Sequence, residues 1–214
     1  MSDLLQQILI FAVAVPAIVL HEVSHGYVAH LLGDPTAKER GRLSLNPIKH
    51  VDPFGTLLLP AMLALVGSPV VIGYAKPVPI NPRYFRNYRM GMLLTGLAGP
   101  ATNLVMAIVS GLVIRLLDAT GASAFTAVGY AVLVLYFFAL INLVLMFFNL
   151  IPIPPFDGSR IIPIFLSDRG LRAYAQIERY GFLIIFALLF LGKGLLSGYF
   201  ELTVYPLLRL LTGV

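Results

Sequence analysis

Apolar residues along this chain fall into long blocks, 4–32, 54–72, 90–117, 125–150, 181–196 and 199–211, separated by shorter polar stretches. As a helix the first block, Leu4–Leu32, would be about 43 Å long, more than the roughly 30 Å hydrocarbon core of a bilayer. Gly33-Asp34-Pro35 closes it. Met90–Leu117, Phe125–Leu150 and Gly181–Leu196 predict three further spans. Tyr199–Leu211 is short and broken by Pro206, which suits either an interfacial helix or a final span. The pattern predicts an all-α polytopic membrane protein with about four to six transmembrane helices.

The polar stretches set the topology. Residues 34–52 carry Lys38, Arg40, Arg42 and Lys49, and residues 76–89 carry Lys76, Arg83, Arg86 and Arg89. The positive-inside rule places both on the cytoplasmic side, which a single traversal by Phe54–Ile72 cannot achieve. Pro60, Gly67 and Pro69 also interrupt that block. The expectation is therefore a segment that enters and returns. Val70–Pro79 is too rich in proline and β-branched residues for a helix, so a small membrane-embedded re-entrant β element is predicted between the first span and Met90–Leu117. Such a strand would offer an edge to an unwound substrate segment; a plain surface loop is the alternative. Arg42–Pro47 also alternates like a strand ahead of a turn.

Composition supports the membrane assignment. Of 214 residues 58% are hydrophobic and 12% charged, against about 25% charged in soluble domains. One domain, 1–214, is expected, with a catalytic core over about 4–167 and C-terminal helices over about 180–212. The net charge of +5 comes from residues bordering the spans, so the expected partner is the lipid bilayer and no nucleic acid. No cysteine is present, which excludes disulfides and thiolate metal sites. Met1–Asp3 has no basic n-region and the apolar run continues well beyond it, so no cleavable signal is expected.

The chemistry lies inside the first span, at His21-Glu22-Val23-Ser24-His25. Residues four apart lie about 40° apart around a helix and about 6 Å along it, so both imidazoles can reach one ion, with Glu22 beside a water on that ion. By chance this motif should arise in roughly one random sequence per thousand of such composition, but ionisable groups at membrane depth persist only with a function or a partner. The other reading is a structural histidine pair satisfied by backbone carbonyls. A catalytic zinc keeps three protein ligands and an open position. Asp157, the only acidic residue between Asp118 and Asp168, follows the break at Pro152, Pro154 and Pro155 and returns to the same side of the membrane if residues 54–79 are re-entrant. His21, His25 and Asp157 complete such a set; an N-cap or turn role is the alternative for Asp157. His30 and His50 have no partner at ligand spacing. Asn103 suits either a hydrogen bond to a substrate carbonyl or interhelical bonding.

His21-Glu22-x-x-His25, Gly99-Pro100-x-x-Asn103 and Asn149-x-x-Pro152 leading to Asp157-Gly158 together closely resemble the site-2 protease family, the intramembrane zinc metalloproteases of peptidase family M50. The resemblance covers roughly residues 10–165 and extends to Gly73-Tyr74-Ala75-Lys76-Pro77-Val78-Pro79, similar to a segment of the family's short bacterial and archaeal members. It implies one Zn2+ per chain on His21, His25 and Asp157, with Glu22 as general base. It further implies Asn103 and Asn149 near the substrate, and a stretch including Gly73 and Tyr74 that binds an unwound transmembrane protein substrate. No PDZ or CBS module, common among relatives, is recognised. The implied location is a bacterial or archaeal cell membrane with the site toward the cytoplasm; oligomeric state is left open.

Two other classes share these ligands. A metal or ion transporter should carry further polar residues across the bilayer, and the outer halves of these spans are nearly free of them. A non-catalytic metal-binding scaffold has no need of Glu22. Four histidines are too few for a histidine-box di-iron oxygenase.

Overall fold

In the computed structural model residues 3–58, 62, 65, 73–119, 127–190 and 192–213 are described. Three helices among them are long and apolar enough to cross a membrane. Helix α1 is Asp3–Leu31; after a short helix α2 (Thr36–Glu39), α3 is Tyr88–Asp118 and α4 is Ala127–Asn149. Then come α5 (Asp168–Glu178), α6 (Gly181–Phe190) and α7 (Lys193–Thr212). Helix α3 is the centre of the bundle. It packs along both α1 and α4, and α7 closes against α3 and α4.

Small residues make this closeness possible. Within a bilayer, contact between helices gains no hydrophobic energy from water, so association depends on van der Waals fit and polar pairing. Helix α3 presents Gly91, Gly96, Ala98, Gly99, Ala107 and Gly111 to its neighbours. A Cβ on Gly111 would come within 2.8 Å of Leu211, and one on Gly96 within 2.9 Å of Arg160. Where α3, α4 and α7 meet, Ala107, Ala139, Leu143, Met146, Val204 and Leu208 form a buried apolar cluster. The Arg115 guanidinium donates to the carbonyls of Leu210 and Leu211, satisfying the C-terminal end of α7.

The loop after α1 is tied to the approach to α3 by one buried carboxylate. Asp34 Oδ1 accepts from the Thr36 backbone and hydroxyl, and Oδ2 accepts from the Asn81 backbone at 2.6 Å. Asn87 then caps α3 by accepting from Met90 N.

Two expectations are corrected here. No β-strand occurs among the described residues, so the predicted re-entrant β element is not supported; its first residues, 70–72, lie outside the described residues. Residues 73–79 lie outside any helix, but their donors go to three unrelated places: Tyr74 N to Gly55 O, Lys76 N to His50 O and Val78 N to the Glu22 carboxylate. A ladder needs one continuous partner strand, and Pro77 and Pro79 lack the N–H to build it. Proline and β-branched composition signalled non-helical backbone correctly but says nothing of pairing. Arg42–Pro47 is likewise no strand; Arg42 turns inward to donate to Lys76 O.

The second correction concerns span number. Gly181–Leu196 is not one span, because the helix is broken between Phe190 and Lys193. The ten residues of α6 reach about 15 Å, half a bilayer. Tyr199–Leu211 belongs to the continuous helix α7, with Val204 and Leu208 fully buried. Of Phe54–Ile72, the described start is a π-helical turn, Pro53–Leu58, and most of the remainder lies outside the described residues.

Candidate metal centre

Helix α1 carries His21 and His25 one turn apart on the face that meets α3. They approach α3 at Gly99, where a Cβ would lie 2.5 Å from His21 Cε1 and 2.5 Å from His25 Nε2. Only a residue without a side chain leaves both rings room. Asp157 arrives from the opposite end of the chain. Helix α4 stops at Asn149, and the chain folds back so tightly that a Cβ on Gly158 would collide with the Leu150 carbonyl. Phe156 packs its ring on Phe148 at 4.5 Å, anchoring the return, and Asp157 opens a 3-10 turn through Ile164. Its carboxylate faces the imidazoles rather than a helix end.

The three side chains are 4–7% exposed. Asp157 Oδ2 lies 3.1 Å from His21 Nε2 and 3.1 Å from His25 Nε2, and the two Nε2 atoms are 3.0 Å apart. Ligand atoms about 2.0–2.1 Å from a tetrahedral zinc would be about 3.3 Å from one another, so a small outward movement of each accommodates the ion. The remaining ring nitrogens are already assigned. His25 Nδ1 donates to the Thr95 carbonyl at 2.6 Å and His21 Nδ1 to Asn103 Oδ1 at 2.5 Å. With the hydrogen fixed on Nδ1, both Nε2 lone pairs are free for a cation, the arrangement expected of metal-ligating histidines. Burial alone would raise the Asp157 pKa, but hydrogen bonds from His21 and His25, with Arg160 nearby, outweigh it and hold the carboxyl well below the usual carboxylate range. Two imidazole nitrogens and one carboxylate oxygen with no thiolate form a donor set that suits zinc.

Glu22 lies beside this cluster without joining it. Its Oε2 accepts from the Val78 backbone N–H at 2.9 Å. Val78 stands between Pro77 and Pro79, so it alone of the three has an N–H, and the prolines hold the backbone around it extended.

The peptidase family M50 model matches residues 111–192, the part that contains Asp157. The similarity to individual relatives is wider. YwhC of Bacillus subtilis (strain 168) is 44% identical over 175 residues, covering 80% of this chain and 74% of its own. This chain belongs to peptidase family M50. Rip2 of Mycolicibacterium smegmatis (strain ATCC 700084 / mc(2)155) is 32% identical over 199 residues, covering 92% of this chain and 72% of its own. Both relatives bear the name "putative zinc metalloprotease". No solved structure matches the chain.

In this M50 chain the sequence-predicted residues separate into two groups. His21, His25, Asp157 and Asn103 are drawn together, with Glu22 alongside. Asn103 is fully buried and uses both ends of its amide, Oδ1 toward His21 and Nδ2 toward Asn142 Oδ1 at 2.7 Å. Both bonds run between helices, to His21 on α1 and to Asn142 on α4. Asn149, Gly73 and Tyr74 make no hydrogen bond to the three converging residues among those described. Asn149 Nδ2 donates to Leu145 O within its own helix. Tyr74 is partly exposed, its ring lies over Gly55, and its carbonyl accepts from the Thr56 hydroxyl. Gly73, beside it, is exposed. His50 donates from Nε2 to Ser44 O and stays outside the cluster, as does His30.

Sequence reasoning missed Thr95, whose contribution is a backbone carbonyl and leaves no trace in side-chain chemistry. It also missed Val78, an apolar residue acting through its N–H, and Asn142. Asn142 did leave a signal, as a buried amide inside the most apolar of the three spans. Arg160, whose Nη2 is 3.9 Å from Asp157 Oδ1, was visible only as one cation in the segment after the prolines.

Proposed function

We propose that this protein is an intramembrane zinc metalloprotease, holding one Zn2+ per chain on His21, His25 and Asp157 and hydrolysing a peptide bond within or near a transmembrane segment of a protein substrate. The observation that carries this is the convergence of three buried ligand atoms within 3.1 Å, from positions 136 residues apart, next to a carboxylate they do not use. A structural histidine pair needs neither Asp157 nor Glu22.

His21, His25 and Asp157 would hold the zinc, which when bound would supply Lewis acidity toward a water and the scissile carbonyl. Glu22 takes a proton from the attacking water and passes it to the departing amine nitrogen, so one carboxylate serves as base and then as acid. The Val78 N–H holds Oε2, which keeps Oε1 for the transferred proton and fixes the carboxylate's rotation. Asn103 and the Thr95 carbonyl hold the two imidazoles in the ligating tautomer. A helical substrate hides its carbonyls in its own hydrogen bonds, so the scissile segment must unwind to reach the site. The stretch with Gly73 and Tyr74 runs from the Pro53–Leu58 turn to Glu22 and is the surface we assign to that segment, and we assign Asn149, at the end of α4, to the substrate as well. The basic residues around 34–52 and 76–89 orient the site toward the cytoplasm of a bacterial or archaeal cell. The whole chain, 1–214, acts as one membrane-embedded catalytic domain in this reading.

The test is cleavage of a panel of single-span membrane proteins by purified protein, wild type against Glu22→Gln, with zinc assayed in both. The expected result is cleavage by wild type and a loss of about 100- to 10,000-fold in Glu22→Gln at unchanged zinc content. Equal cleavage by both would remove Glu22 from the reaction. Zinc in both with no cleavage, and zinc flux in liposomes, would make the site a transporter's.

A further inference from the structure

Asn142 belongs to none of the motifs above, yet it is fully buried in the middle of α4 and bonded to the site. An amide side chain has one accepting and one donating end, and which end faces a neighbour is decided by its other partners. Three such decisions are linked here. Asn142 Nδ2 is taken by the Phe138 carbonyl at 2.8 Å, so its Oδ1 must face Asn103. That oxygen can be satisfied only by a donor, which turns Asn103 Nδ2 toward it at 2.7 Å. Asn103 Oδ1 then faces His21, where it accepts from Nδ1. The hydrogen is thereby fixed on Nδ1, and the Nε2 lone pair points at Asp157 and His25.

We propose that Asn142 is a positioning residue for the metal site, setting the direction of a buried relay from the Phe138 carbonyl through Asn142 and Asn103 to His21. The inference rests on the metal reading of the site given above. The relay joins α4, α3 and α1. If Asn142 could not accept, the Asn103 amide would be free to rotate by 180°. Its Nδ2 would then face His21, favouring the tautomer with hydrogen on Nε2, which cannot ligate. With Leu at 142 either orientation leaves one end of the Asn103 amide unpartnered, so nothing on the α4 side holds its oxygen toward His21.

The experiment is zinc affinity by competition with a chelator on the full-length protein in detergent, with folding followed by circular dichroism. Asn142→Leu keeps the volume and removes the acceptor. Its zinc affinity should fall roughly tenfold or more, within the range seen when partners of metal-ligating histidines are altered. The decisive variant is Asn103→Asp, whose carboxylate accepts at either oxygen and needs no orienting partner. In that background Asn142→Leu should cost nothing, so that Asn103→Asp/Asn142→Leu binds zinc as tightly as Asn103→Asp alone. A purely structural role for Asn142 predicts the same loss in both backgrounds. Wild-type affinity in Asn142→Leu, or a loss that Asn103→Asp does not repair, would overturn the relay while leaving the metal site intact. If zinc affinity follows the expected pattern but no substrate is cleaved, the relay stands and the reading of the reaction fails.

Discussion

One helical turn separates two regions of opposite character on the same pair of helices. On α3, Asn103 sits four residues before Ala107, and on α4, Asn142 sits beside Leu143. Asn103 and Asn142 belong to a buried polar layer with His21, His25 and Asp157; Ala107 and Leu143 belong to the apolar cluster with Ala139, Met146, Val204 and Leu208. Both layers are buried, but they respond to change by different rules. The apolar cluster is non-directional and depends on volume, so it holds α3, α4 and α7 at a fixed spacing without specifying any one orientation of a side chain. The polar layer uses that spacing. Hydrogen bonds link its side chains from His21 through Asn103 to Asn142, and exchanging any one of these changes which atoms point at the metal position. Stability resides mainly in the first region and chemistry in the second.

The contrast can be broken by substitutions in either layer. The largest change in free energy is expected from Leu143→Ala. It should destabilise the bundle by about 2–5 kcal/mol, read by denaturation in detergent, while the folded fraction keeps its zinc. Loss of zinc from folded protein would show that the layers are not separable. Gly99→Ala should do the reverse. Its Cβ intrudes on both imidazoles, and about 1–3 kcal/mol of overpacking should appear as roughly a five- to hundredfold loss of zinc affinity, measured by chelator competition, with little change in unfolding. Val78→Pro comes next. It deletes the donor to Glu22 and exchanges the buried Val78 side chain for a proline ring, and should lower kcat about tenfold, or about 1.4 kcal/mol, with zinc content and KM unchanged. A rise in KM alone would make residues 73–79 a substrate contact without a role in placing the base. The smallest effect belongs to Leu143→Met, which conserves volume and should cost about 1 kcal/mol or less, with zinc and cleavage untouched.

What could be read from the sequence follows the same division. The three long helices and His21, Glu22 and His25 were legible because each depends on spacing along one helix. Asp157 was legible because so few carboxylates occur in the apolar part of the chain that ligand counting left one choice. The partners of these residues were not, since the Thr95 carbonyl, the Val78 N–H and the Asn142 amide matter only once it is known which spans are neighbours. The β element failed for a related reason. Pro77, Val78 and Pro79 do forbid a helix, but an extended segment becomes a strand only by pairing, and its donors are instead used by Gly55, His50 and Glu22. The break in Gly181–Leu196 had a local signal in Gly192-Lys193-Gly194, but the apolar residues on either side outweigh it in a reading by hydrophobic block length.

The central claim is that His21, His25 and Asp157 hold one zinc and that Glu22 stands outside the ligand set. Zinc stoichiometry of purified wild type, Asp157→Asn and Glu22→Gln tests it most directly. The account predicts about one zinc per chain in wild type and in Glu22→Gln, and a loss of at least tenfold in affinity for Asp157→Asn, whose amide is a far weaker ligand. Full occupancy in Asp157→Asn, or loss of zinc in Glu22→Gln, would contradict it.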